Sequence, residues 1–74
     1  MNLVFLARML VADIARLDAV FLGLCESVEK QKADGADASG FDRQAGMVFQ
    51  ESEAKRTALR RALLRMERVA KAAP

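Results

Sequence analysis

Histidine, tryptophan and tyrosine are absent from the 74-residue chain, and cysteine and proline each occur once. The single cysteine, Cys25, cannot form an internal disulfide, and without histidine no thiolate–imidazole metal site can be built. A chain this short rarely gains more than about 3–5 kcal/mol from its own core. Because disulfides and metals are excluded as supports, we expect oligomerisation to complete the fold.

Residue patterns that carry catalysis are also missing. The sequence has no nucleophile with a suitable base, no glycine-rich phosphate loop and no acid pair at metal-ligand spacing. Asp34, Asp37 and Asp42 do not follow the twelve-position pattern of a calcium loop. We therefore predict that the protein is not an enzyme and binds no cofactor or metal.

The chain contains no long apolar run that is free of charge. Segment 3–24 is largely apolar, but Arg8, Asp13, Arg16 and Asp18 interrupt it, and four charges in one span are costly in hydrocarbon. The basic leader, uncharged run and small-residue cleavage site of a secretory signal are not found. We expect no membrane association and a cytoplasmic location, which suits an unpaired cysteine.

What the chain does have is helical periodicity. Hydrophobic residues make up 53% of the sequence, and strong helix formers dominate its composition. In the first segment, apolar residues recur at alternating spacings of four and three, as on the packed face of a helix. They are Leu3, Ala7, Leu10, Ile14, Leu17, Phe21, Leu24 and Val28. This spacing predicts helix one over about residues 2–32.

Turn residues separate this segment from a second helical one. Residues 33–40 contain two glycines, two aspartates and a serine, which is typical of a turn. Ser39 followed by Asp42 resembles a capping box, and Asp37 and Asp42 are rival caps. We place the turn at about 33–41 and helix two at about 42–71. The predicted packed face of helix two is Ala45, Phe49, Ser52, Arg56, Leu59, Leu63, Met66 and Ala70.

Two helices of this length joined by a short turn must lie antiparallel. We therefore predict one all-α domain over residues 1–74, an antiparallel two-helix hairpin that completes a four-helix bundle as a homodimer. Matching the two packed faces sets Leu24 against Phe49 and Ile14 against Leu59, so that paired residue numbers add up to about 73.

One charged residue falls on the predicted packed face of helix two. In this register Arg56 lies near Asp13 and Asp18, and we expect it to bond one of these carboxylates and to help fix the register. The alternative is that Arg56 extends to solvent along its aliphatic stem.

The first half of helix one has more apolar surface than one neighbouring helix can cover. We predict that the excess residues form a dimer or partner interface; they are Val4, Phe5, Leu6, Met9, Val11 and Val20. Two occupants remain open, a second copy of the chain and a groove-binding partner protein, and both can apply. The predicted function is a protein-binding module, such as an adaptor, a chaperone-like protein or an inhibitor.

The last third of the chain is basic. Between Lys55 and Lys71 there are seven basic residues and one acidic residue. Arg61, Arg65 and Arg68 lie opposite the packed face and predict a contact with anions or nucleic acid, which is the alternative function. The other interpretation is a solvated helix face that complements the helix dipole.

Overall fold

The computed structural model describes residues 2–72 and consists of two α-helices packed against each other, α1 (Leu3–Ala33) and α2 (Ser39–Ala72). Phe21 contacts Phe49, and Asp13 bonds Lys55, so the two helices run antiparallel. The Cα atoms extend over 64 × 16 × 14 Å, which is a thin rod. The predicted all-α hairpin is confirmed.

Local hydrogen bonds define both ends of α1. The Asn2 side-chain oxygen accepts from the backbone N–H groups of Val4 and Phe5 at 2.8 and 3.3 Å and so caps the first turn. At the other end, Gly35 adopts a positive φ of 74°. The Gly35 and Ala36 N–H groups donate back into the last turn, to the carbonyl oxygens of residues 32 and 31. This is a Schellman motif, which ends a helix sharply.

Asp37 caps the start of α2. Its carboxylate accepts from the Ser39 backbone N–H at 2.9 Å and from the Ser39 hydroxyl at 3.1 Å. The backbone hydrogen bond from Ser39 holds the pKa of Asp37 below its usual range. The predicted capping box of Ser39 and Asp42 is wrong, because the Asp42 N–H donates to the Ala38 carbonyl oxygen and the Ser39 N–H donates to Asp37. The helix begins at Ser39, three residues earlier than expected, and the loop shrinks to residues 34–38.

The core is a single seam between the two helices. On α1 the predicted packed face is the buried one, since five of its positions are buried and the other three are half-buried. The buried positions are Ala7, Leu10, Ile14, Leu17 and Val28. On α2 the buried positions within the helix are Ala45, Ser52 and Ala62.

The packed face of α2 agrees with the prediction at five of eight positions, which are buried or half-buried, and differs from it at the other three. The positions that agree are Ala45, Ser52, Arg56, Leu59 and Met66. Ala62 is only 3% exposed, whereas the predicted Leu63 is 50% exposed. Phe49 is likewise exposed, while Val48 before it is half-buried. The prediction preferred the larger residue of each neighbouring pair, whereas the smaller residue is the more buried one in both cases. The predicted Ala70 is also exposed.

The contacts between the helices join residues whose numbers add up to between 68 and 74, a range that includes the predicted value of about 73. Phe49 packs on Phe21, with ring centroids 5.7 Å apart and planes tilted by 46°, in place of the predicted Leu24. Ser52 meets Asp18 in the same register. The Phe21–Phe49 contact lies slightly before the predicted level of α1, in the direction expected when α2 starts three residues earlier than predicted.

Candidate protein-interaction surfaces

A polar cluster lies at the middle of the hairpin. Asp18 accepts a hydrogen bond from the Ser52 hydroxyl at 2.8 Å and a second one from the Arg56 guanidinium. Ser52 is 3% exposed, so its hydroxyl is satisfied by Asp18 inside the helix contact. The Ser52 hydrogen bond, together with Arg56, lowers the pKa of Asp18 despite some desolvation. The structure thus brings Arg56 onto Asp18, one of its two predicted partners.

Asp13, the other predicted partner, makes a separate ionic contact. Its carboxylate lies 3.3 Å from Lys55 Nζ and 3.4 Å from the Arg16 guanidinium. Along α1, Asp13 and Asp18 flank the buried seam on opposite sides, since five residues correspond to about 500° of rotation. Asp13 and Asp18 of α1 therefore pair with the adjacent Lys55 and Arg56 of α2, one pair on each edge of the helix contact. Whether these bonds select the register stays a prediction.

A continuous groove runs along one side of the hairpin, on the edge that carries Asp18. Two stripes of side chains border it, and both follow the alternating four-and-three spacing of a helix face. The α1 stripe is Val4, Arg8, Val11, Ala15, Asp18 and Leu22. The α2 stripe is Phe49, Glu53, Arg56, Arg60 and Leu63. We call this surface the groove face.

The groove face is open and carries exposed apolar side chains between charged ones. Val4, Val11, Leu22, Phe49 and Leu63 are each about half exposed or more, between 47% and 61%. Ile14 and Leu59 form part of its floor. Exposed apolar side chains are ordinary when scattered, but a contiguous set along a groove marks an interaction surface.

The six residues predicted as an interface do not form one patch. Val4 and Val11 lie on the groove face. Phe5 and Met9 are exposed one turn apart on the outward side of α1, which we call the outer patch. Leu6 is half-buried, and Val20 is exposed on the side of α1 away from Val11. Leu22, Phe49 and Leu63 belong to the groove face but were absent from the predicted interface, because their placement depends on the register between the helices.

The predicted anion-binding arginines lie together on the outward side of α2. Arg61, Arg65 and Arg68 are exposed and border one shallow depression with Leu64. Within residues 2–72, none of the three forms an ion pair. The structure therefore presents them as an open basic surface.

Cys25 is a free, half-buried thiol. Residues 2–72 hold no group of three or more potential metal-ligating side chains. Neither described helix has a stretch long and apolar enough to cross a membrane.

No protein-family model, no curated protein sequence and no solved structure matches the chain. Its surfaces are therefore the basis on which a function can be inferred.

Proposed function

We propose that this chain is a small non-enzymatic protein-binding module of the cytoplasm, an adaptor, chaperone-like protein or inhibitor, which dimerises and presents an apolar helical surface to a partner protein. One observation carries the proposal. Eleven large apolar side chains among residues 2–72 are nearly half exposed or more. Five of them line a single groove along the side of the hairpin.

The thinness of the hairpin supports self-association. Two helices in contact bury one seam, and no side chain among the described residues is less than 2% exposed. A second hairpin stacked on the first would cover the apolar stripes and produce a four-helix bundle. Association of this kind would supply the burial that the isolated chain lacks.

The outer patch of Phe5 and Met9 supports partner binding. Phe5 is 59% exposed and Met9 is 48% exposed, and they lie at i and i+4 on one helix face. This patch faces away from the groove, so a dimer closed over the groove would still display it. A flexible methionine beside an aromatic ring suits adaptable contact with an apolar partner surface.

Light scattering coupled to size exclusion tests the proposal on the native chain at about 0.05 and 1 M NaCl. A dimer at both salt concentrations is expected, because apolar contacts are not screened by ions. A well-folded monomer at both would contradict it. For partner binding, Phe5→Asp and Met9→Asp should each abolish capture of a binding protein by the immobilised chain. Gln50→Asp, an exposed change on α2, is the matched control.

The basic surface of α2 supports a second candidate, a nucleic-acid-binding hairpin dimer. Arg61, Arg65 and Arg68 are exposed on one side of a single helix and would be doubled in a dimer. Titration of a labelled RNA or DNA duplex at several salt concentrations tests it. Affinity should fall steeply with salt and drop when the three arginines are changed to glutamine. Binding to no nucleic acid at 0.05 M salt would exclude this candidate.

A further inference from the structure

We propose that the groove face is the surface on which a second copy of the chain docks, turned end for end so that the two loops lie at opposite ends of the dimer. The proposal rests on the proposed function in one respect, namely that the chain self-associates. Beyond self-association, it specifies which face the two copies share, how they are oriented and which residues pair. The order of side chains along the two stripes supports this arrangement.

The α1 stripe is complementary to itself when it is reversed. Stacked antiparallel on its own copy, Val4 faces Leu22 of the second copy, and Val11 faces Ala15. Between these apolar pairs, Arg8 faces Asp18 of the second copy, so a base meets an acid. The alternating spacing of the stripe reads the same in both directions, which lets all pairs form together.

The α2 stripe is complementary to itself to within one residue of register. Phe49 faces Leu63 of the second copy, and Glu53 faces Arg60. Arg56 lies closest to the two-fold axis and meets its own symmetry mate. Each Arg56 is bonded to Asp18 of its own chain, so the two guanidinium groups approach as neutralised pairs.

The two stripes can use the same two-fold axis because their centres lie at the same level of the hairpin. The α1 stripe is centred on residue 13 and the α2 stripe on residue 56. The Asp13–Lys55 ion pair and the Ser52–Asp18 hydrogen bond place these two centres within about one helical turn of each other. A single axis between the stacked hairpins, perpendicular to the helices at this level, therefore pairs both stripes at once.

The other two-fold arrangement fits the charges poorly. If the axis ran along the helices, both loops would lie at one end, and α1 would stack on α2 of the second copy at matching levels. Asp18 would then face Glu53, and Val11 would face Arg60. Like charges placed opposite each other oppose association.

The size of the groove face is suited to a small dimer. The α1 stripe spans nineteen residues, or about 27 Å of helix, and the face is two helices wide, which gives an outline of roughly 500 Å². Side chains that project from this outline raise its accessible area towards the about 800 Å² per partner of a standard interface. That area is about one seventh of the 5730 Å² that the single chain exposes.

A charge-exchange experiment tests the pairing. Glu53→Arg and Arg60→Glu should each weaken the dimer roughly tenfold in sedimentation equilibrium, because each change sets like charges opposite each other at two symmetric places. The double variant should return to within about threefold of the native chain. Glu53 and Arg60 are seven residues apart on one helix, about 10.5 Å, so they cannot pair within a chain. Glu53 also lies 3.7 Å from Arg56 of its own chain. Glu53→Gln removes that contact without setting like charges opposite each other, so it is the matched control and should weaken the dimer far less than Glu53→Arg.

A distance measurement tests the orientation. In a Cys25→Ser background, a nitroxide attached at Lys30→Cys lies on an exposed part of α1 beyond the paired stripe. Double electron–electron resonance should give about 50 Å between the two labels if the loops are at opposite ends, since each label is seventeen residues from the axis. A distance below about 30 Å would indicate loops at the same end and overturn the proposal.

The outcomes separate this inference from the proposed function. A monomeric native chain contradicts the proposed function itself. A dimer that the single charge variants leave unchanged, or that the double variant fails to restore, overturns the assigned face while self-association stands. Val11→Asp should also dissociate the dimer, whereas Phe5→Asp on the outer patch should leave its mass unchanged.

Discussion

Two glycines offer the same chemical change with opposite expected results. Gly23 lies in the middle of α1 and Gly35 ends that helix, and an added Cβ would meet no other atom within 4 Å at either position. Alanine at Gly23 reduces the freedom of the unfolded chain and favours the helix, so we expect a gain of about 1 kcal/mol in the free energy of unfolding. Gly35 has a φ of 74°, where alanine costs roughly 1–2 kcal/mol.

The assay is urea unfolding followed by circular dichroism at 222 nm. For a small protein the slope of the free energy with urea is on the order of 1 kcal/mol per molar. Gly23→Ala should therefore raise the midpoint by roughly 1 M, and Gly35→Ala should lower it by roughly 1 M or more. All samples need the same protein concentration, because association contributes to stability. Gly46→Ala, exposed within α2, should repeat the gain and add to that of Gly23→Ala.

If Gly23→Ala and Gly35→Ala moved the urea midpoint in the same direction, one of the two expected backbone effects would be wrong. A gain at Gly35 would mean that the left-handed cap is not formed, and the loop of residues 34–38 would then not set where α2 begins. A loss at Gly23 would mean that its face is covered, by a second copy or otherwise, and that the added methyl group collides there.

Three further predictions concern the helix contact and its polar cluster. Ala62→Leu should destabilise the chain by about 1–3 kcal/mol in the same urea assay through overpacking, while the exposed Ala58→Leu changes stability by less than about 0.5 kcal/mol. The folded-state pKa of Asp18 is lowered, so its contribution to stability is present above about pH 4 and is lost as the pH falls below it. Asp18→Asn should therefore flatten the acid side of a stability–pH profile measured from pH 6 to 2. Arg56→Leu should lower stability or change the oligomeric state; a more stable variant of unchanged mass by light scattering would show that Arg56 does not fix the register.

The packed face of α1 could be read from the sequence because its apolar line is unbroken. Leu10, Ile14 and Leu17 follow one another at helical spacing, and no second line competes with them at the centre of the helix. In α2 two lines of residues at helical spacing pass through the same central positions. The spacing alone therefore does not decide whether Ala62 or Leu63 is buried. The choice depends on how closely the helices approach, which is a property of the pair rather than of either segment.

The surfaces were predictable only in part for the same reason. Apolar excess identified Val4 and Val11, which do lie on the groove face. Phe49 was assigned to the core, yet it is 49% exposed and borders the groove. The position of Phe49 depends on where α2 begins, and α2 begins at Ser39 because Asp37 caps it. From the sequence alone, Asp37, Ser39 and Asp42 were alternative caps.

The rod shape of the hairpin affects how the chain behaves in solution. Its radius of gyration is 17.3 Å, whereas a compact globule of this length would have one of about 11 Å. A radius of 17.3 Å is otherwise typical of a compact protein of roughly 230 residues. A single 8.1 kDa chain should therefore diffuse slowly and leave a gel-filtration column early, with the apparent size of a globular dimer or trimer. Elution volume alone would report an assembly even for a monomer, so the mass has to come from scattering or sedimentation.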